Sequence, residues 1–160
     1  MQLVIADTSP INYLLLIGHI EVLPALFDRI ILPSTVRDEL AALRAPAVVR
    51  NWTAALPAWI DIRTAQSHPA DPANDKLDSG EREAIVLAGE LNAGLLLMED
   101  RDGVAVAREK GFRVAGTLTV LAMAAGQGLL DLIRAIELLK RTNFHYRQEI
   151  IDRFIAQYKW

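Results

Sequence analysis

Short apolar runs alternate along the chain with longer segments whose apolar residues recur every three or four positions. A run of about four apolar residues predicts a buried strand, whereas the longer period predicts a helix. Five strands are predicted, at 3–6, 29–33, 59–63, 95–98 and 112–114. Helices are predicted at about 10–17, 20–27, 35–43, 48–55, 78–91, 103–111, 117–125, 129–141 and 146–157. Segment 65–76, which is rich in Pro and Asp, is predicted to be a loop.

The alternation of strands with helices predicts the fold class. Such chains form a parallel sheet with helices on both faces, so we expect an α/β protein with three layers, α/β/α, around a central sheet of about five short strands. In sheets of this kind, ligands bind beyond the carboxyl ends of the strands.

Length and composition fit a globular protein of one domain over residues 1–160. The net charge of −3 argues against a protein that coats nucleic acid by bulk charge, although a nuclease with an acidic site remains compatible with it. There is no apolar run long enough to span a bilayer, no secretory start and no cysteine. We therefore expect a cytoplasmic protein without membrane association.

Four carboxylates are predicted to meet at the carboxyl edge of the sheet. Asp7 directly follows the first strand, and Asp100 follows the fourth. Glu39 lies in the second turn of the helix that leaves the second strand, and Glu81 lies in the first turn of the helix that leads into the fourth. A crossover helix runs antiparallel to its strands, so both glutamates also belong to this edge.

Carboxylates that converge repel one another and raise each other's pKa, and a divalent cation removes that penalty. An all-oxygen set without cysteine favours Mg²⁺ or Mn²⁺. Such a cation can activate water and stabilise the charge that develops on a phosphate, so the pattern indicates phosphodiester hydrolysis. The sequence leaves open whether one metal ion binds or two.

Several segments resemble the motifs of PIN domains, including the VapC-type toxin ribonucleases. Ile5-Ala6-Asp7-Thr8-Ser9 is similar to their opening strand and first acid. Segments 36–40, 81–88 and 96–102 resemble the second, third and fourth motifs, with Glu39, Glu81 and Asp100 as the acids. Glu81 stands where most members have Asp. The resemblance covers about 3–128, and the predicted helices of 129–160 carry no recognisable motif.

The resemblance implies an Mg²⁺- or Mn²⁺-dependent endoribonuclease that cleaves single-stranded RNA. It also implies a homodimer, and a toxin paired with an antitoxin protein. Asp7, Glu39, Glu81 and Asp100 would be both the catalytic residues and the metal ligands. The alternative is a catalytically weak PIN domain that acts as an RNA- or protein-binding module, and the departure at Glu81 motivates it. A different phosphotransfer fold is disfavoured because position nine is Ser9 rather than a second Asp.

Each acid also has a purely structural interpretation. Asp7 suits a helix N-cap, and Asp78 with Glu81 three residues later forms the pattern of a capping box. Glu83 is a rival to Glu81 as the third acid. Thr8 or Ser9 is expected to cap the first helix or to support the acids. The remaining acids near the motifs, Asp38, Glu99 and Asp102, are expected to be solvated, with Asp102 as a possible holder of a second metal.

Basic residues offer candidate RNA contacts. Arg37, Arg82 and Arg101 lie beside the acids in sequence and are candidates for phosphate binding. A basic and aromatic patch follows Lys140, and we interpret it as a solvated helix end rather than an RNA surface. It contains Lys140, Arg141, His145, Tyr146 and Arg147. The three histidines, His19, His68 and His145, have no ligand spacing.

Overall fold

The structure, a computed structural model, describes residues 2–157. The five strands are β1 (Val4–Ala6), β2 (Ile30–Pro33), β3 (Ile60–Arg63), β4 (Leu95–Leu97) and β5 (Val114–Ala115). The first helices are α1 (Thr8–Leu16), α2 (Val22–Phe27), α3 (Ser34–Ala41) and α4 (Ala47–Ala54). They are followed by α5 (Ser79–Leu91), α6 (Arg101–Glu109), α7 (Thr117–Gly126), α8 (Leu132–Lys140) and α9 (Gln148–Gln157).

All five strands are parallel, in the order β3-β2-β1-β4-β5. The central strand β1 pairs through Ile5 with Ile31 on one side and with Leu96 on the other. The chain therefore builds outward from β1 in one direction and then in the other. At such a reversal the connections diverge above the carboxyl ends of the strands and leave a crevice there. The predicted fold class is confirmed.

Apolar side chains cover both faces of the sheet. Val4 and Ala6 of β1 belong to the larger core with α1, α3, α4, α7 and α8, whereas Ile5 belongs to a smaller core with α5 and α6. Because successive side chains of a strand point to opposite faces, a strand that is buried on both faces must be apolar throughout. This explains the continuous apolar runs of β1, β2 and β4, whereas β3, which lies at the edge of the sheet, was predicted from its alternation of apolar and polar residues.

Several predicted boundaries are wrong by a few residues. Helix α1 begins at Thr8, so neither Thr8 nor Ser9 is its N-cap. Strand β5 begins at Val114, because the backbone amide of Phe112 bonds to Ala107 O and still belongs to the end of α6. Leu43, predicted on the buried face of α3, is 90% exposed because that helix already ends at Ala41.

The start of α3 is held by a residue from another helix. Pro33 precedes the helix and offers no side-chain cap. Instead the Glu83 carboxylate of α5 accepts hydrogen bonds from Thr35 N (2.8 Å), Thr35 Oγ1 (2.7 Å) and Ser34 Oγ (3.0 Å). It also accepts one from Ala65 N at 3.1 Å. Glu83 thus ties α3 and the segment after β3 to α5.

The segment between β3 and α5 lacks regular structure apart from a 3₁₀ turn at Pro72–Asn74, but it is attached to helices on both sides. Glu90 of α5 accepts hydrogen bonds from Gln66 N (3.0 Å) and Ser67 N (2.7 Å). Asp71 forms an ion pair with Lys110 at the end of α6. The predicted loop is therefore confirmed, and it follows a fixed path across α5.

No helix within residues 2–157 combines the length and the apolar character that crossing a membrane requires.

Replacing Glu83 with alanine should destabilise the fold, because it leaves the amides of Thr35 and Ala65 without their acceptor. We expect the free energy of unfolding to fall by about 2–3 kcal/mol, measured by urea denaturation at pH 7. Burial alone would raise the pKa of Glu83, but the hydrogen bonds from Thr35, Ala65 and Ser34 lower it. Its contribution should therefore be present above pH 4.3, roughly the ordinary pKa of Glu, and disappear as the pH falls through the lowered value.

The control is Glu137→Ala, which removes an exposed glutamate of α8. Equal stability of the two variants at pH 7 would show that Glu83 does not hold the start of α3.

Candidate functional site

Asp7 lies at the centre of the carboxyl edge, directly after β1. Its amide donates a hydrogen bond to Leu97 O (2.8 Å), which extends the pairing of β1 with β4 by one residue. Asp7 occupies the N-cap position of α1, yet its side chain makes no capping hydrogen bond. The residue is 5% exposed, and its Oδ1 is buried without a hydrogen-bond partner within residues 2–157. Capping therefore does not explain this carboxylate.

Burial raises the pKa of Asp7 to about 7. The neighbouring amide of Thr8 opposes this rise, whereas the negative charges of Asp78, Glu39 and Asp100 add to it. Those three acids come from distant parts of the sequence, so their combined effect shows that the fold gathers carboxylates around Asp7.

Glu39 is oriented toward Asp7 by the residue that follows Asp7. Thr8 Oγ1 donates a hydrogen bond of 2.6 Å to Glu39 Oε2. The other carboxyl oxygen lies against Gly80, where an added Cβ would come within 2.8 Å of Glu39 Oε1. The Glu39 carboxylate is thus held between the start of α1 and the start of α5.

Glu81 is both a helix cap and a buried acid. With Asp78 it forms a complete capping box, in which Glu81 N donates to Asp78 Oδ1 (2.8 Å) and Asp78 N donates to Glu81 Oε1 (3.1 Å). Glu81 is 3% exposed, and its second oxygen, Oε2, is buried without a partner among the described residues. The capping box accounts for one oxygen only.

The unpartnered oxygen of Glu81 faces the end of the fourth motif. A Cβ added to Gly103 would come within 2.6 Å of Glu81 Oε2. Burial raises the pKa of Glu81, and the nearby Asp100 carboxyl raises it further. Glu81 and Asp100 are therefore neighbours at this edge.

Asp78 is a fifth acid of this edge, and sequence reasoning treated it only as a cap. Its charge raises the pKa of both Asp7 and Glu81. The signal that could have revealed it is the capping box itself, because a box that contains Glu81 places Asp78 beside the same carboxylate.

The donor set fits a hard divalent cation. Asp7 Oδ1 and Glu81 Oε2 are buried acceptors that no hydrogen bond satisfies among the described residues, and a cation would satisfy both. Within residues 2–157, however, no three acidic or histidine side chains already stand at the separations that a single metal ion requires. The acids share one edge, and holding a cation would require side-chain adjustment.

The other acids near the motifs have separate roles. Glu83 accepts the hydrogen bonds from α3 described above. Glu99 was predicted to be solvated, and this is wrong: it is partly buried and accepts hydrogen bonds from Thr117 N (2.7 Å) and Thr117 Oγ1 (2.9 Å) at the start of α7. Asp38 and Asp102 are exposed, as predicted, and Asp38 pairs with Arg37 at 3.1 Å.

The candidate basic residues are exposed or are bonded to nearby residues. Arg82 is exposed and donates a hydrogen bond to Leu77 O (2.9 Å), and Arg101 is exposed at the first position of α6. In the patch after α8, Lys140 Nζ donates to Gln148 Oε1 (2.8 Å) and lies 5.4 Å from the centre of the Tyr146 ring. These contacts join α8 to α9 and agree with the interpretation as a helix end.

A family model described as DUF3368: PIN domain matches residues 3–159. The chain belongs to the PIN-domain family. The match includes the C-terminal helices, in which the sequence offered no motif, so α8 and α9 are part of this PIN domain. Members of the family are typically nucleases and generally use divalent metals. No curated protein matches the chain.

Among solved structures, this PIN domain is similar to a PilT N-terminus domain protein from the hyperthermophilic archaeon Sulfolobus solfataricus P2. The TM-score is 0.52 at 18% sequence identity, and the alignment covers 91% of this chain and 97% of the other. At this identity the similarity establishes the PIN-like fold alone.

The raised pKa of Asp7 should make the metal-free protein less stable at high pH. A carboxyl group whose pKa rises on folding stabilises the fold fully below its unfolded pKa, about 3.9, and this contribution is lost as the pH rises through the folded value. In EDTA, Asp7→Asn should therefore be more stable than the wild type at pH 8, by up to about 4 kcal/mol, and the difference should shrink toward pH 5. Thermal unfolding between pH 5 and pH 8 measures this.

Mg²⁺ or Mn²⁺ should raise the melting temperature of the wild type at pH 8 and have a smaller effect on Asp7→Asn, because a ligand stabilises only the state that binds it. Asp38→Asn is the matched control, since Asp38 is an exposed acid. Equal stability of the wild type and Asp7→Asn in EDTA at pH 8 would contradict the burial of an unsatisfied charge at Asp7.

Gly103→Ala should disturb the acids directly, because its Cβ would occupy the space of Glu81 Oε2 and would also approach Met98 Sδ to 2.8 Å. We expect a loss of about 1–3 kcal/mol in unfolding free energy and weaker Mn²⁺ binding by calorimetry. Gly126→Ala is the matched control, because Gly126 is also helical and a Cβ there meets nothing within 4 Å. Normal Mn²⁺ affinity in a folded Gly103→Ala protein would show that the position of Glu81 does not matter for the metal.

Proposed function

We propose that this PIN domain is an Mg²⁺- or Mn²⁺-dependent endoribonuclease that cleaves single-stranded RNA. The observation that carries the proposal is the pair of buried carboxyl oxygens without hydrogen-bond partners, Asp7 Oδ1 and Glu81 Oε2, at an edge where Glu39 and Asp100 also gather. Burying such groups is costly unless a ligand satisfies them. Family membership supports the chemistry, and the resemblance of the motifs supports RNA as the polymer.

Asp7, Glu39, Glu81 and Asp100 are the residues that would hold the cation, with Asp78 beside them. When bound, a divalent cation there supplies Lewis acidity for the attack of water on a phosphodiester. Carboxylates on separate elements suit this task, since each is fixed by its own helix or strand end.

The chain's own residues prepare this site. The hydroxyl of Thr8 fixes one oxygen of Glu39, and the amide of Asp78 fixes one oxygen of Glu81. The other oxygen of Glu39 lies against Gly80, and the other oxygen of Glu81 lies against Gly103. Each glycine makes room for the oxygen because it has no Cβ. The exposed guanidinium groups of Arg82 and Arg101 are available to phosphates of a bound strand.

The biological setting belongs to the same proposal. By resemblance to VapC-type proteins, the chain would act as the toxin of a toxin–antitoxin pair and would form a homodimer in the cytoplasm. Exposed apolar side chains on α7 and α8, among them Met123, Ile133 and Leu138, are compatible with a protein partner. Growth after induced expression tests toxicity, and normal growth would remove the toxin from the proposal. Light scattering of the purified protein tests the dimer, and a monomer would remove the homodimer from the proposal.

Asp7→Asn should abolish RNA cleavage. We expect the wild type to cut a mixed panel of single-stranded RNAs with Mn²⁺ or Mg²⁺ and to be inactive in EDTA. Removing an outer partner of a metal ligand typically costs roughly 10–100-fold, so the loss of a ligand should cost at least about 100-fold in cleavage rate. Glu81→Gln should behave similarly, whereas the exposed control Asp38→Asn should cut normally.

Circular dichroism establishes that each variant is folded. Full activity of Asp7→Asn would remove Asp7 from the mechanism. If the wild type cuts no RNA with either metal, the chain is better described as a binding module, which is the alternative that the Glu81 departure raised. Normal cleavage by Glu81→Gln together with loss in Glu83→Gln would assign the third acid to Glu83.

A further inference from the structure

A cleft opens beside the acidic edge, between the β3–α5 segment and the starts of α3 and α5. It encloses about 390 Å³, at the lower end of the roughly 300–1,000 Å³ of small-molecule sites. Its floor includes one face of α5, with Ser79, Arg82 and Val86 at helical spacing. Glu81 belongs to the same first turn but faces the core, so the cleft and the acids occupy adjacent faces of one helix start.

The α3 side of the cleft leads to the acids as well. Thr35 lines the cleft and stands one helical turn before Glu39, which places the two residues on the same side of α3. A strand of nucleic acid with a phosphate at the acids would therefore have its neighbouring nucleotide beside the cleft.

The walls suit a flat ring with polar edges better than an anion. Val86 and Pro69 supply apolar surface, and the exposed guanidinium of Arg82, anchored by its bond to Leu77 O, offers a plane on which a ring can stack. The Glu83 carboxylate also lines the cleft, and Asp75 lines an adjoining hollow. This negative charge opposes binding of a phosphate group.

One buried polar group of the cleft has an unused acceptor. Asn74, in the 3₁₀ turn, lines the cleft and is 4% exposed, and its Oδ1 receives no hydrogen bond from the described residues. A buried amide oxygen without a donor is unfavourable unless a ligand or water supplies one. Asparagine amides pair with the donor and acceptor edges of nucleobases, so a base in the cleft would satisfy this group once the side chain turns toward it.

We propose that this cleft binds one nucleobase of the RNA next to the scissile phosphate, with Asn74 reading its edge and Arg82 stacking on its face. The proposal rests on the proposed function for the identity of the polymer, but base binding itself can be measured without cleavage. It makes the β3–α5 segment the element that selects which RNA sequence is cut.

The test uses Asp7→Asn protein in EDTA, so that neither metal nor catalysis contributes. The probes are the four nucleoside 5′-monophosphates and ribose 5-phosphate, titrated by calorimetry and by the NMR shifts of backbone amides. We expect one nucleotide to bind best, ribose 5-phosphate to bind at least about 10-fold more weakly, and the shifts to map to 65–86.

Two further substitutions, each made in the Asp7→Asn background, separate the cleft from the rest of the molecule. Val86→Trp fills the cleft without removing a buried polar group, and Asn74→Ala removes the reading group. Each should weaken nucleotide binding at least about 10-fold, whereas the control Asn51→Ala, at an exposed position of α4, should not. If Asn74→Ala does not fold, Val86→Trp alone decides.

Equal binding of nucleotides and ribose 5-phosphate, or shifts that map elsewhere, would overturn the proposal. Unchanged nucleotide binding in Val86→Trp would overturn it as well. If the wild type nevertheless cleaves RNA, the proposed nuclease would stand without this subsite. Base binding that the two substitutions abolish, in a protein that cuts no RNA, would support the subsite while refuting the nuclease.

Discussion

The burial of a carboxylate at the end of the central strand is the constraint on which this site depends. Water stabilises an ionised carboxylate, and removing that water favours the neutral acid. Asp7 is buried beside three other acids, and its pKa rises to about 7 chiefly because of that burial. The negative charges of Asp78, Glu39 and Asp100 raise it further.

The neighbouring elements position the other acids in different ways. Glu39 keeps one oxygen on a threonine hydroxyl, and Glu81 keeps one oxygen on a helix amide. Gly80 and Gly103 let the remaining oxygens approach where a methyl group would collide with them. The hydrogen bonds of the capping box at the start of α5 therefore also orient Glu81 among the acids. The structural role of Glu81 therefore uses only one of its two carboxyl oxygens.

Periodicity and topology were sufficient to predict the sheet and the edge where Asp7 and Asp100 lie, because a parallel α/β arrangement dictates where strand ends meet. The same reasoning failed wherever a side chain acts on a distant segment. Nothing near Glu83 in sequence indicates that it holds the start of α3, and nothing near Glu99 indicates that it binds the start of α7. The burial of Asn74 in a polar loop is likewise a product of packing against α5, which local composition does not encode.

The attachment of the β3–α5 segment has a consequence for how the molecule fluctuates. Ala65, Gln66 and Ser67 lie outside any helix or strand, yet their amides are bonded to carboxylates of α5. Exchange of these amide hydrogens with solvent requires those bonds to open, so their protection depends on α5 as well as on the loop. The segment has no regular secondary structure apart from its 3₁₀ turn, but its opening is coupled to the opening of α5.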